Sequence, residues 1–270
     1  MALRRNASEM PEHRARRRFS QNFLVDRNYI MRIVRAISLS EADHVVEIGP
    51  GLGALTPSLL ASAGRVDAIE IDRDAARLLQ ERFSDQRLSI HCADFLEFDL
   101  CALGSDLRLV GNLPYHISTP ILFTIDQVRD CVRDCHFMLQ KEVVERMVAT
   151  PGSADYGRLS VMLQCRWKMQ KLFDVPPTVF RPQPKVWSSV VRMHPESRAD
   201  IADAAVFHRV VEASFSQRRK TLRNALRGVA MDEDFERTGI DPGRRGETLS
   251  VAEFAALANQ LRDRLNVSSG

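Results

Sequence analysis

Short apolar runs alternate with amphipathic stretches through the first two thirds of the chain. Val45-Val46-Glu47-Ile48 has the texture of a buried strand and stops at a glycine-rich turn. Val66-Asp67-Ala68-Ile69-Glu70-Ile71, Leu88-Ser89-Ile90-His91-Cys92, Leu107-Arg108-Leu109-Val110 and His136-Phe137-Met138-Leu139 repeat that texture, and residues 186–193 add one more strand pattern. Between these runs, residues 73–83 place Ala76, Leu79 and Phe83 on one helical face. Strand–helix alternation of this kind predicts an α/β fold with a doubly wound, mostly parallel sheet. Four of the nine residues from Pro176 to Pro184 are proline, which predicts a rigid extended loop. After a polar linker at residues 194–203 only helical patterns remain. Ser250-Val251-Ala252-Glu253 reads as a capping box opening a helix that ends near Leu265. A small all-helical C-terminal domain is expected from about residue 200. No apolar stretch approaches the roughly 18 residues needed to cross a bilayer.

Charge changes this picture only when it is resolved along the chain. The 38 Lys and Arg and 35 Asp and Glu leave a net of +3, which says little. Residues 1–35 nevertheless carry +6, residues 36–107 carry −8, residues 108–192 carry +5, and residues 193–270 are neutral. Of the bases, 33 are Arg and 5 are Lys. Arg presents a planar fork suited to phosphate and to stacking on bases, although GC-rich coding produces the same bias. Two runs are basic: Arg14-Ala15-Arg16-Arg17-Arg18 near the N-terminus, and Arg218-Arg219-Lys220-Thr221-Leu222-Arg223 continuing to Arg227 in the expected helical domain. A single such run is often only a solvated face, whereas two favour a polyanion partner. The five cysteines (Cys92, Cys101, Cys131, Cys135, Cys165) form no CxxC pair and have no histidine cluster beside them. They are expected to be free thiols in a reducing compartment, with no metal bound. The N-terminus lacks an apolar signal region, so the cytoplasm is the expected location, with no membrane contact.

Candidate chemistry gathers where the strands end. Glu47-Ile48-Gly49-Pro50-Gly51-Leu52-Gly53 follows the first strand and opens a helix. Glycines permit a tight turn and close approach of a ligand, and the helix start adds a positive dipole end. Glu70, nineteen residues past Gly51, ends the second strand, where an acid suits ribose hydroxyls. These features alone do not separate NAD from S-adenosylmethionine. Asp94 follows the third strand and is placed to accept from an adenine amine. Asn112-Leu113-Pro114-Tyr115 follows the fourth. An exocyclic adenine amine is a poor nucleophile, because its lone pair is delocalised into the ring. Acceptors from the Asn112 side chain and the Leu113 carbonyl would hold both N–H bonds. Pro114 stiffens the turn and Tyr115 offers a ring to stack on the base. No strong general base is then needed, and positioning supplies most of the rate.

Taken together these residues resemble the ribosomal small-subunit RNA adenine N6,N6-dimethyltransferases, whose bacterial members are linked to kasugamycin sensitivity. The resemblance covers nearly the whole chain from Arg17. It rests on Phe19-Ser20-Gln21-Asn22-Phe23-Leu24, the Gly49–Gly53 turn and Asn112 to Tyr115, and also on Pro151-Gly152-Ser153 continuing to Tyr156-Gly157-Arg158-Leu159-Ser160-Val161. Phe180-Arg181-Pro182-Gln183-Pro184-Lys185-Val186 and Arg219-Lys220-Thr221-Leu222-Arg223-Asn224 complete it. The resemblance implies a Rossmann-like class I S-adenosylmethionine-dependent methyltransferase sheet, with residues 1–18 a basic arm, 19–195 the catalytic domain and 200–270 a helical RNA-binding domain. It implies S-adenosylmethionine as donor and, as acceptors, two adjacent adenosines in the 3′-terminal hairpin loop of 16S rRNA in the 30S subunit or its precursor. A monomer is implied as well. By motif, Asn22 and Leu24 would line the methionine end of the donor, Gly49 and Gly51 the turn, Glu70 the ribose and Asp94 the adenine. Asn112 would touch donor and acceptor. Phe180 would face the target adenine opposite Tyr115, and Arg218, Arg219, Lys220 and Arg223 would bind RNA.

Two positions depart from the family pattern: Ser20 stands where Gly is usual, and Trp187 where Asp is usual. Trp187 either packs in the core or enlarges the stacking surface. The rival readings are a 23S rRNA adenine methyltransferase of the macrolide-resistance class, a non-catalytic nucleic-acid-binding protein on the same fold, and an NAD-dependent dehydrogenase. Residues 156–161 and 180–186 favour the small-subunit branch over the first. An intact Asn112–Tyr115 motif with Glu70 and Asp94 disfavours the second, and both Arg clusters disfavour the third.

Overall fold

The structure is a computed structural model, and it describes residues 22–217 and 219–267. The basic arm, Ser20 and Arg218 lie outside the described residues. In chain order the elements are β1 (Phe23–Leu24), α1 (Arg27–Ile37), β2 (His44–Ile48), α2 (Thr56–Leu60), β3 (Arg65–Glu70), α3 (Arg73–Arg82), β4 (Leu88–Cys92) and β5 (Leu107–Asn112). They continue with α4 (Ser118–Gln127), β6 (Val132–Gln140), α5 (Lys141–Val148), α6 (Arg158–Gln164), β7 (Trp167–Val175), β8 (Phe180–Arg181) and β9 (Ser188–Pro195). The C-terminal part is α7 (Ala204–Ser216), α8 (Leu222–Ala225), α9 (Asp232–Thr238) and α10 (Val251–Val267).

Seven strands form one sheet in the order β4-β3-β2-β5-β6-β9-β7. The first five are parallel; β9 runs antiparallel to β6, and β7 antiparallel to β9, at the far side. The chain works outward from β2 to β4, then returns to add β5 on the other side of β2. The carboxyl ends of β2 and β5 therefore flank a topological switch point, where open α/β sheets hold their ligands.

The central strands read as continuous apolar runs because both faces of the sheet are covered. Val46, Leu109 and Phe137 pack toward α4 and α5 in one cluster, whereas their neighbours Val45, Val110 and Met138 pack toward α1 and α2 in another. β7 does not show such a pattern. A register shift between Lys171 and Phe173 breaks its alternation, and β7 joins the sheet through β9 alone. Local signals set the helix starts. Asp26 Oδ1 accepts from the amides of Asn28 and Tyr29 at 2.8 and 3.2 Å, and Ser250 and Glu253 form the expected reciprocal capping box.

One sequence expectation changes here. Cys101 and Cys131 are paired as a disulfide, not free, because two short 3-10 turns 30 residues apart in sequence bring their Cα atoms to 5.6 Å. Cys92, Cys135 and Cys165 are free. Arg219 and Lys220 stand in the turn before a single helical turn, α8, which carries Arg223. The amides of Leu222 and Arg223 are tied to the carbonyls of Arg244 and Pro242, which sets that turn in place. The C-terminal helices do not build their core alone. Tyr156, Val161 and Cys165, all upstream of β7, pack with Phe207, Leu222, Leu249 and Phe254, and the Tyr156 hydroxyl donates to the Leu249 carbonyl at 2.9 Å.

Candidate active site

A cavity of about 330 Å³ opens at the carboxyl ends of β2, β3, β4 and β5. The glycine turn forms its floor. Gly51 holds φ +57°, a conformation that strains any side chain, and a Cβ there would come within 3.1 Å of the Phe23 ring, which would have to give by a few tenths of an ångström. Gly111, just before Asn112, is constrained differently: a Cβ there would meet the Ile48 carbonyl oxygen at 2.6 Å. A glycine inside an otherwise apolar strand is the signal that marks such a close approach.

Glu70 ties the turn to β3. One carboxylate oxygen accepts from the Gly51 amide and the other from the Asp72 amide, both at 2.9 Å. A carboxylate oxygen can accept a further bond from a vicinal diol. Burial raises the Glu70 pKa, and the amide bonds from Asp72 and Gly51 partly oppose the rise. Asp94 accepts from the Leu96 amide through Oδ1 at 2.9 Å and also lines the cavity. Ile71 and Leu96, 45% and 36% exposed, supply apolar walls beside these two acids. Such walls suit the faces of a flat ring.

Glu47 is a further acid in the wall, and the sequence signals it only as a charge inside an apolar strand. It is 2% exposed and accepts from the Thr56 hydroxyl at 2.6 Å. Burial, opposed by the Thr56 bond and aided by the charge of Glu70, lifts its pKa to about 7. A carboxyl raised from its unfolded value contributes stability that is complete at low pH and is lost as pH rises through 7. Glu47→Gln is therefore expected to gain up to about 3 kcal/mol over wild type between pH 5 and pH 9. Urea titrations across that range check this, and parallel curves for the two proteins would contradict it.

On the β5 side, Asn112 Nδ2 donates to the Asn22 carbonyl at 3.0 Å. That bond orients the amide and leaves its Oδ1 as the half not engaged among the described residues. Leu113 is anchored by its amide to the Met138 carbonyl at 3.1 Å. Tyr115 is half-buried in the cavity wall, with its hydroxyl 2.8 Å from Ser188 Oγ on β9. Burial raises the Tyr115 pKa against the pull of that bond, so the phenol is neutral at physiological pH. Ser188 carried no signal in the sequence, because its role depends on β9 reaching β6.

The structure thus collects Asn22, Leu24, Gly49, Gly51, Glu70, Asp94, Asn112, Leu113, Pro114 and Tyr115 around one cavity. It does not bring Phe180 there. Phe180 is fully buried, paired with Leu24 between β8 and β1 and packed among Val45, Val110 and Val190. The motif would set Phe180 opposite Tyr115 across the target adenine; in this structure it backs the Asn22–Leu24 wall through the β1–β8 ladder. Arg219, Lys220 and Arg223 are exposed and line no part of the cavity. Arg223 also pairs with Asp232 at 3.2 Å.

The lining has a chemical bias. Glu47, Glu70 and Asp94 are present, and no Lys or Arg is found among the described lining residues. A pyrophosphate would meet carboxylates with no compensating cation, which disfavours a dinucleotide. A cationic ligand carrying an adenosine matches both the charge and the placement of acceptors. No metal-ligating cluster occurs among the described residues, and no described helix is long and apolar enough to cross a membrane.

Comparison with known proteins agrees with this geometry. The family model described as ribosomal RNA adenine dimethylase matches residues 12–263. Ribosomal RNA small subunit methyltransferase A of Aromatoleum aromaticum is 56% identical over 254 residues, covering 93% of this chain and 96% of that protein. The protein of the same name from Pseudomonas aeruginosa is 49% identical, covering 95% and 98%. Among solved structures, a dimethyladenosine transferase from Plasmodium falciparum has the same fold, with TM-score 0.80 at 24% identity over 89% of this chain and 98% of that one. The 23S rRNA methyltransferase ErmE aligns with TM-score 0.68 at 26% identity over 89% and 100%. The sheet is that of class I methyltransferases, and with a family model spanning nearly its whole length and relatives about half identical throughout, the chain belongs to the ribosomal RNA adenine dimethylase family.

Proposed function

We propose that this protein transfers methyl groups from S-adenosylmethionine to the N6 amines of two adjacent adenosines in the 3′-terminal hairpin loop of 16S rRNA. Two N6,N6-dimethyladenosines result, made in the cytoplasm during small-subunit assembly by a monomer. The observation that carries this reading is the Asn112 amide, oriented by Asn22, at the rim of a cavity whose described lining holds Glu47, Glu70 and Asp94 and no Lys or Arg.

S-adenosylmethionine, when bound, supplies an electrophilic methyl on a sulfonium. Glu70 and Asp94, both in the cavity lining, would hold its ribose and adenine, and the acids as a group favour its positive charge. An adenosine drawn out of its loop meets Tyr115 with its ring face. Asn112 Oδ1 and the Leu113 carbonyl then accept the two amine N–H bonds and turn the nitrogen lone pair toward the methyl. The Tyr115–Ser188 bond keeps the aromatic ring in place, so rate comes from positioning rather than from a strong base. The amine proton leaves to water after transfer.

Incubation with labelled S-adenosylmethionine and under-methylated 30S particles tests the proposal. Label in both loop adenosines is expected. No label there overturns it, and label in 23S rRNA would assign the chain to the sister class instead.

The helical part, with Arg219, Lys220 and Arg223 exposed at its edge, is assigned to RNA binding, together with Arg218 by motif. Replacing Arg219, Lys220 and Arg223 by Ala is expected to lower the slope of log affinity against log salt by about 2 to 3, near one for each phosphate no longer neutralised. Arg223 contributes least because Asp232 already shares its charge. An unchanged slope in a salt series would return the run to a solvated face.

A further inference from the structure

The two tryptophans of this chain have opposite environments. Trp167 is fully buried and donates its indole N–H to Asp126 at 2.8 Å. Trp187 is 50% exposed, and Val186 before it is 42% exposed. The next residue, Ser188, is fully buried and carries the hydroxyl that holds Tyr115.

Sheet register places Trp187 relative to the reacting centre. Asn112 pairs with Met138 on β6, and Met138 pairs with Val190 on β9. Because β9 is antiparallel to β6, Trp187 stands three residues beyond that level, about 10 Å toward the carboxyl edge of the parallel strands. It lies on the edge that presents the site, two strands from Asn112, and does not line the cavity. Its carbonyl accepts from the Lys141 amide at 2.9 Å. The Lys141 ammonium is 6.0 Å from the indole centroid, steadied by Asp174 at 3.1 Å and Glu145 at 3.8 Å. Lys185, two residues before Trp187, is exposed.

We propose that Trp187 is a stacking platform for the nucleobase that flanks the methylated adenosine. The inference rests on the reading of the site given above. An adenosine drawn into the cavity leaves its chain neighbour unstacked, and an exposed indole at the rim restores a face for it. Lys185, exposed beside that face, sets positive charge for a flanking phosphate, and Lys141, shared with Asp174 and Glu145, packs its ammonium against the indole. Since two adjacent adenosines are the substrate, the flanking base is itself the second target in one of the two rounds. The apolar patch is only two residues wide and edged by lysines, which suits a base and a backbone phosphate better than an apolar protein surface.

Trp187→Ala is expected to weaken binding of a single-stranded oligonucleotide carrying the loop sequence by roughly 5- to 150-fold. The KM for 30S particles should rise with it, while kcat stays within about twofold. Trp187→Phe should recover most of the affinity, which a merely structural role for the loop would not require. With Trp167 buried, oligonucleotide quenching of tryptophan fluorescence in wild type is expected to disappear in Trp187→Phe although binding persists. Affinity of Trp187→Ala within twofold of wild type overturns the proposal. So does a loss of 30S binding with unchanged oligonucleotide binding, which would assign the patch to a ribosomal protein. The oligonucleotide arm uses no methyl donor. It is therefore decided separately from the wild-type transfer assay on which the function reading depends.

Discussion

Asn112→Ala is expected to reduce methyl transfer roughly 100- to 1,000-fold, the scale of removing one preorganised polar group from a reacting centre. The change removes the acceptor for the adenine amine and also the N–H donated to the Asn22 carbonyl. Asn112→Asp keeps an acceptor but sets a carboxylate against the Asn22 carbonyl, so its activity should fall between Ala and wild type. Single-turnover transfer to 30S particles separates these cases. Thermal melting should show Asn112→Ala still folded, since the side chain is only half-buried at the cavity rim. Turnover of Asn112→Ala within tenfold of wild type would remove Asn112 from the amine-binding role.

Arg108→Ala is expected to destabilise the fold by about 3–5 kcal/mol, as when one partner of a buried charge network is deleted. The Arg108 guanidinium bonds to Asp43 at 2.9 Å and to Asp134 at 2.7 and 3.0 Å, and it also caps the carbonyls of Ile37 and Ser38 at 2.7 and 3.2 Å. Removing it strands the Asp134 carboxylate in particular, because Asp43 keeps Arg133 at 2.8 Å. Arg108→Lys should cost less than Ala but more than a surface change, since one ammonium cannot span two carboxylates and two carbonyls. Urea titration at constant pH measures both variants, and a loss below about 1 kcal/mol for Ala would refute the assignment. The network lies at the start of β5, opposite its catalytic end. It fastens the end of α1, the helix that follows the Asn22–Leu24 wall. Destabilised but folded Arg108 variants should therefore keep the chemistry of Asn112.

The central strands and the strand-end residues were legible in the chain for physical reasons. A strand buried on both faces reads as an unbroken apolar run, and each parallel strand delivers its functional residue at its carboxyl end. Gly49, Gly51, Glu70, Asp94 and Asn112 stand at such strand ends and line one cavity. Phe180 shows where that rule stops: a motif marks the residue, but pairing with β1 decides which way the ring faces. β7 was missed because its alternation is broken by the register shift. Cys101 and Cys131 read as free because nothing local announces that two distant turns meet.

Local composition and spacing thus determined, from the sequence by itself, the α/β class, the helical C-terminal part, the glycine turn and the residue types at the strand ends. Only the tertiary structure decided which of those residues share a cavity and what its net charge is. It also showed that Ser188 steadies Tyr115, that Arg108 ties α1 to the sheet, and that Trp187 is exposed rather than packed in the core. The reason is common to all of these. Each depends on contacts between segments tens of residues apart, which short-range periodicity and spacing do not encode.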